Sequence, residues 1–336
     1  MGTTSAETSY YKLLNPTDIK VGDIIHFAVI VQDANKRKRV GGGDFWLATL
    51  SSDKNPNAST AGKIVDYDNG TYSIEIKGHG NLVPPIDLPY CGPNLEGLIS
   101  DGFWFDGIWT SFKCKKPSLD VQYVGECFRN KEVHLLGDST LRQWGKLVTS
   151  LMSGHDDADQ FVKHHVKAYN FTLTLHFNKV KMGIVYRYDL NEYEVDVLDS
   201  LRNPECNYVI VFSAGFHYVQ WSREAYKDHL LHLRAASMEL LARCPDVPIV
   251  FKGLHPRDHP WDVYTDIAVS DYIIHEMLQL ARNIFDQPGV QIYFLETWDL
   301  ALSYPSPNKV HMPYHTEKEE EVSMFLSYAC QMKETK

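Results

Sequence analysis

A serine closes an apolar run in Val133-His-Leu-Leu-Gly-Asp-Ser-Thr-Leu-Arg142, at the point where a buried strand gives way to a helix. Open α/β sheets bind ligands at the carboxyl edge of their strands, so Ser139 stands where a nucleophile would meet a substrate. The helix amino terminus adds backbone N–H groups and a positive dipole end suited to an oxyanion. Gly137-Asp138-Ser139 also reads as a plain helix cap. A serine nucleophile needs a base. Of the 15 histidines, His311 suits that part: it lies in loop 303–313, after the last strand and before the final helix. The alternative is an exposed loop histidine without a role. Arg142, three residues after Ser139 on one helix face, could hold an anionic substrate group or pair with a structural acid. Arg187 and Tyr188, near the end of an earlier strand, are further substrate candidates. In His255-Pro-Arg-Asp-His-Pro-Trp-Asp262, the residues His255, His259 and Asp262 are of metal-ligating type. Their spacing fits no established metal signature and the prolines indicate a rigid loop, so no metal is assigned and His255 and His259 are taken as substrate contacts.

The elements that must position these residues follow from hydrophobic periodicity. Short apolar strands at 133–136, 207–213, 247–252 and 290–295 alternate with amphipathic helices, the pattern of a parallel α/β sheet. Leu141, Trp144, Leu147, Val148 and Leu151 make one helical face ending at Gly154. Ile273, Met277, Leu280 and Ile284 make another, and the last helix opens with a capping box, Thr316-x-x-Glu319, and buries Val322, Phe325 and Leu326. Upstream, Ile25, Phe27, Val29 and Val31 alternate as in a strand, and the pattern resumes around Phe45, Leu47 and Thr49. Asn69-Gly70 separates two alternating runs, which predicts a two-residue hairpin turn with positive φ at both positions. The expected organisation is a β-sandwich over 15–85, a connector over 86–131 rich in Gly, Pro and aromatics, and an α/β domain over 132–332.

A net charge of −10 offers no footprint for a phosphate backbone, which excludes nucleic acid as a partner. No apolar run approaches the roughly 20 residues of a membrane helix. Six cysteines and three sequons, at Asn57, Asn69 and Asn170, point to the secretory pathway, either the Golgi lumen or secretion. A signal segment would then be absent from this sequence. Cys206 and Cys244 each directly precede a parallel strand, so a disulfide across the two strand starts is geometrically reasonable.

The segments Leu135-Leu-Gly-Asp-Ser-Thr-Leu-Arg-Gln-Trp144, Val211-Phe-Ser-Ala-Gly-Phe-His217, Asn308-Lys-Val-His311 and Met324-Phe-Leu-Ser-Tyr-Ala-Cys330 resemble the neurexophilin and PC-esterase (NXPE) family, of the SGNH (GDSL-type) superfamily. Gly42-Gly-Asp-Phe45 and Val65-Asp-Tyr-Asp-Asn-Gly-Thr-Tyr72 are similar to its filamin-like domain. The resemblance implies an immunoglobulin/filamin-like β-sandwich followed by an SGNH-like three-layer α/β domain with a parallel sheet. It implies Ser139 as nucleophile and His311 as base. Asn308 stands where the family's Asp-x-x-His element has aspartate; it could accept from Nδ1–H of His311 but adds no charge, and Asp299 would substitute if the loop folds back. His217 falls where the wider superfamily places an asparagine donor, so the implied oxyanion hole is Ser139, Gly215 and His217. A histidine satisfying a strand-end carbonyl is the alternative for His217. Cys114 and Cys127 match the family's pair before the nucleophile strand, which leaves Cys91 with Cys330. The implied function is O-acyl transfer, foremost O-acetyl transfer, to a glycan hydroxyl, with sialic acid among the acceptors. Acetyl-CoA is the donor considered, a glycan or glycoprotein is the acceptor, and no bound cofactor is expected. An esterase or deacetylase using the same residues, and a non-catalytic secreted protein that binds a protein partner, are the rival readings.

Overall fold

The computed structural model describes residues 3–15, 18–20, 22–78, 87–93, 95, 98, 100–154, 163–179, 191–257, 269–305, 310–311 and 317–331. The chain divides into two units. The first comprises Met1–Leu88, Glu96–Lys113 and Asp299–Pro307, the second Pro89–Leu95, Cys114–Trp298 and Asn308–Lys336.

The first unit contains β1 (Tyr10–Leu13), β2 (Ile24–Ile30), β3 (Thr49–Ser51), β4 (Ser59–Ala61), β5 (Lys63–Asp66), β6 (Thr71–Lys77), β7 (Gly102–Phe105) and β8 (Ile108–Ser111). They form two four-stranded sheets, ordered β1-β2-β6-β5 and β3-β4-β7-β8. The hairpin β7–β8 thus comes from residues expected to lie in the connector. Val29, Val31 and Tyr72 are buried together, with Trp46, Ile64 and Ile74 packed against them. Two local expectations are corrected. The positive-φ residues of the β5–β6 turn are Asp68 and Gly70, not Asn69 and Gly70, so the link spans 67–70. Residues 45–47 form no strand and the next one begins only at Thr49; just before them Gly43 N–H donates to Asp66 Oδ2 (2.7 Å) and Asp44 N–H to the Tyr72 hydroxyl (3.0 Å).

The second unit contains α1 (Val121–Phe128), β9 (Glu132–Gly137), α2 (Ser139–Ser153), β10 (Lys163–Val166), β11 (Phe171–Asn178), β12 (Asn191–Glu192), α3 (Glu194–Ser200), β13 (Tyr208–Phe212), α4 (Arg223–Arg243), β14 (Ile249–Lys252), α5 (Asp271–Phe285), β15 (Tyr293–Leu295) and α7 (Glu317–Gln331); of α6 (Trp298–Leu302), Trp298 belongs to this unit and the rest to the first. The sheet order is β10-β11-β9-β13-β14-β15, with β12 on β11. All its pairings are parallel except β10 with β11. Tyr208-Val-Ile-Val-Phe212 is buried throughout, the near-continuous apolar run of a strand covered on both faces. In register, Gly137 lies opposite Phe177, and Phe212 opposite both Leu136 and Phe251, so the strands end along one edge. Helix α2 packs on β9 and β11, where Trp144 stacks on Phe325 of α7 at 5.5 Å. Elsewhere Phe251 stacks on Phe285 (4.7 Å) and Phe294 (5.3 Å). The buried face of α5 is centred on Ile274, Met277, Leu278 and Ala281, so Ile273 and Leu280 lie at its half-buried margins. Val322, Phe325 and Leu326 of α7 are buried, whereas Thr316 lies outside the described residues.

Three disulfides hold the second unit: Cys91–Cys114, Cys127–Cys330 and Cys206–Cys244. The last is the bond expected from the strand starts. The expected Cys114–Cys127 and Cys91–Cys330 pairs are corrected. Helix α1 separates Cys114 from Cys127 and delivers Cys127 to the end of α7, where its Cα lies 5.1 Å from that of Cys330. Cys91 sits beside Cys114 because Tyr90 and Lys115 form a parallel bridge, and the Cα atoms are 4.8 Å apart. The three sequon asparagines are exposed. Among the described residues no helix is long and apolar enough to cross a membrane.

Candidate active site

The site is built outward from the end of β9. Gly137 is the last strand residue and Asp138 the N-cap of α2, with Ser139 the first helical residue. Ser139 N–H is therefore one of the donors that a helix leaves unpaired at its start. Asp138 is fully buried, and its two oxygens face different partners. Oδ1 accepts from the Thr140 N–H (2.9 Å) and hydroxyl (2.7 Å), an N-cap bond that fixes the first helical turn. Oδ2 accepts from the Phe216 N–H (3.1 Å), in the turn that follows β13. Gly215 makes this possible: a Cβ there would lie 3.0 Å from Asp138 Oδ2 and from Ser213 Oγ, closer than side chains normally approach.

His311 reaches the serine from the other direction. Its Nε2 lies 2.6 Å from Ser139 Oγ, within hydrogen-bond reach of the proton a general base would take. His311 is exposed as a residue, but partial desolvation of its imidazole holds it below its ordinary pKa. The Asp138 carboxylate opposes that shift, and the charges of Arg142, Lys318 and His217 add to it. These residues therefore share one electrostatic environment with Ser139. His217 is half-buried in the one-turn helix Phe216–Tyr218, with the Phe177 ring edge-on at 5.3 Å. Gly215 precedes that helix as its N-cap.

The remaining expected site residues are placed differently. His255 is completely buried, so it is corrected from a substrate contact to an interior residue: its ring meets Phe216 edge-on at 5.1 Å. Burial first, then the Lys252 and Lys318 charges, hold it well below its ordinary pKa, hence neutral. Asp299 accepts from the Asp101 N–H (3.0 Å) within the first unit and serves there as a loop cap. Asn308, Arg187, Tyr188, His259 and Asp262 lie outside the described residues.

Two buried carboxyl groups flank the site that sequence reasoning did not single out. Glu194, the first residue of α3, meets the Tyr218 hydroxyl at 2.9 and 3.0 Å. On α7, Glu321 accepts from Trp144 Nε1 (2.7 Å) and Lys318 Nζ (2.9 Å), with Lys252 Nζ at 3.8 Å. That cluster ties α2 to α7.

Residues 109–330 match the NXPE family member 4-like, C-terminal domain family. The chain belongs to this family. Among solved structures it is similar to a carbohydrate esterase family 2 enzyme plus carbohydrate binding domain from Corynascus thermopiles (Myceliophthora fergusii), with 10% identity, 98% of this chain and 88% of that one covered, and a TM-score of 0.34. A family two carbohydrate esterase from Cellvibrio japonicus matches with 10% identity over 99% and 98% of the two chains, at a TM-score of 0.27. A further carbohydrate esterase, described as displaying divergent catalytic and non-catalytic binding functions, matches with 14% identity over 95% of each chain, at a TM-score of 0.30.

Proposed function

We propose that the chain is a serine-dependent O-acyltransferase acting on glycan hydroxyls, in a secretory compartment. The observation that carries this is the 2.6 Å approach of His311 Nε2 to Ser139 Oγ at the start of a helix and the carboxyl edge of a parallel sheet. His311 takes the hydroxyl proton as Ser139 attacks the acyl carbonyl. The developing oxyanion meets the Ser139 N–H, the Gly215 N–H and the His217 ring; the Phe216 N–H is already given to Asp138. Collapse of the intermediate passes the proton from His311 to the leaving group and leaves an acyl-serine. His311 then takes a proton from a sugar hydroxyl, which attacks the ester and restores Ser139.

Arg142 is assigned to an anionic group of the acceptor, such as a sugar carboxylate, because it stands one helical turn from Ser139 and within electrostatic range of His311. Asn308 is assigned to the Nδ1 side of His311, acetyl-CoA to the donor, and Arg187, Tyr188 and His259 to the acceptor. The β-strand unit is read as a filamin-like sandwich and the second unit as an SGNH-like three-layer domain. Three disulfides and exposed sequon asparagines favour the secretory assignment. Hydrolysis by the same residues is the second reading, favoured by the exposure of His311, which leaves water a route to the acyl-serine. Acyl release from donor is to be measured with and without a sialylated acceptor. Release that requires the acceptor supports transfer. Equal release in both makes the enzyme an esterase, and no release in either leaves a binding protein.

A further inference from the structure

The one-turn helix Phe216–Tyr218 carries His217, and both neighbours of His217 are tied to a buried carboxylate. On one side the Phe216 N–H donates to Asp138 Oδ2. On the other, the Tyr218 hydroxyl meets the Glu194 carboxyl group. Asp138 directly precedes Ser139, so the first tether links the turn to the nucleophile; Glu194 opens α3, so the second links it to that helix. Asp138 and Tyr218 are fully buried and Glu194 is 1% exposed. The Tyr218 ring is stacked on His229 (4.7 Å) and met edge-on by Trp221 (4.9 Å), which leaves the phenol no room to swing away.

We infer that Glu194 and Tyr218 are positioning residues for His217, holding the turn 216–218 in register with Ser139 so that the His217 ring and the Gly215 N–H meet the oxyanion. This rests on the acyl-transfer reading. Neither residue touches the reacting atoms. The titratable groups facing Glu194 are Tyr218 from the turn, Tyr226 and His229 from α4, and Asp138 from the end of β9. Burial pushes Glu194 up to about 7, against the hydrogen bonds from its own backbone N–H and from Tyr218, and the Asp138 charge adds to the rise. His229 is held down to about 4 by burial and by His232, and so brings no positive charge near neutrality. A neutral Glu194 still accepts from Tyr218 through its carbonyl oxygen. Ionisation adds a second negative charge that couples to Asp138, which holds the Phe216 N–H of the same turn, so turnover falls as Glu194 loses its proton.

Three variants separate the parts: Tyr218→Phe removes only the hydroxyl, Glu194→Gln keeps the acceptor without the titration, and Glu194→Ala removes both. Steady-state kcat and KM for an acyl donor across pH, and amide hydrogen exchange of the peptide spanning 213–221, are the readouts. Tyr218→Phe and Glu194→Ala should lower kcat by roughly tenfold with KM nearly unchanged, and speed exchange, as expected for slight misplacement of an oxyanion donor. Glu194→Gln should restore kcat at about pH 6 and abolish the decline above about pH 7. Wild-type kcat and exchange in Tyr218→Phe, or a decline that persists in Glu194→Gln, overturns the inference. Should Glu194→Ala not fold, the other two variants decide. If wild type neither turns over donor nor takes a fluorophosphonate at Ser139, the acyl-transfer reading falls instead. Exchange in Tyr218→Phe then decides the clamp alone: faster exchange keeps it and unchanged exchange rejects it.

Discussion

Two buried glutamates of the second unit have opposite electrostatics. Glu194 faces a tyrosine hydroxyl and another carboxylate, and burial pushes it up to about 7. Glu321 is as deeply buried, yet Lys252 and Lys318 outweigh that burial and hold it far below the usual carboxylate range. The difference shows that partners, not depth, decide whether a buried acid is charged. It also divides the labour around Ser139. The Glu321 side is a fixed ion cluster that joins α2 to α7, whereas the Glu194 side is a group that changes charge near neutral pH.

The comparison is broken most severely by removing the charge from the fixed side. Glu321→Gln leaves two buried lysines facing an amide, and urea denaturation should show a loss of roughly 3–5 kcal/mol. A loss under about 1 kcal/mol would mean that the lysines find other compensation. The titrating side carries the opposite sign. Glu194 has a raised pKa in the folded chain, so its contribution is present below the unfolded value near 4.5 and is lost as pH rises to about 7. The stability of Glu194→Gln relative to wild type should therefore grow over that window, by up to roughly 3 kcal/mol, and stay level above it. A difference independent of pH would contradict the raised value. A smaller effect concerns the base. Arg142 lowers the His311 pKa, so Arg142→Gln should move the acid limb of the rate profile upward. An unmoved limb would place the Arg142 charge away from His311.

Much of the second unit was legible because parallel strands declare themselves as short apolar runs. β9, β13, β14 and β15 fall within or close to the predicted stretches, and the edge they define brings Ser139 and His311 to one place. The strands β10 and β11 were not, since His164, His165, Thr172 and Thr174 interrupt any apolar run. Disulfide partners were set by the packing of α1 beside α7, which sequence separation conceals. The buried charges were the least legible. Glu317-Lys-Glu-Glu-Glu321 has the composition of a solvated face, yet Lys318 and Glu321, three residues apart, point inward on the side of Val322 and Phe325. Nothing local marks Glu194 or Tyr218, because their meaning comes from each other across 24 residues.

The central claim is that Ser139 is a nucleophile activated by His311. The most direct measurement is fluorophosphonate labelling followed by peptide mapping, on wild type, Ser139→Ala and His311→Ala. The account predicts one label per chain, on Ser139, absent in Ser139→Ala and slowed by at least roughly 10³-fold in His311→Ala. Equal labelling of all three proteins, or a label on any other residue, would contradict it.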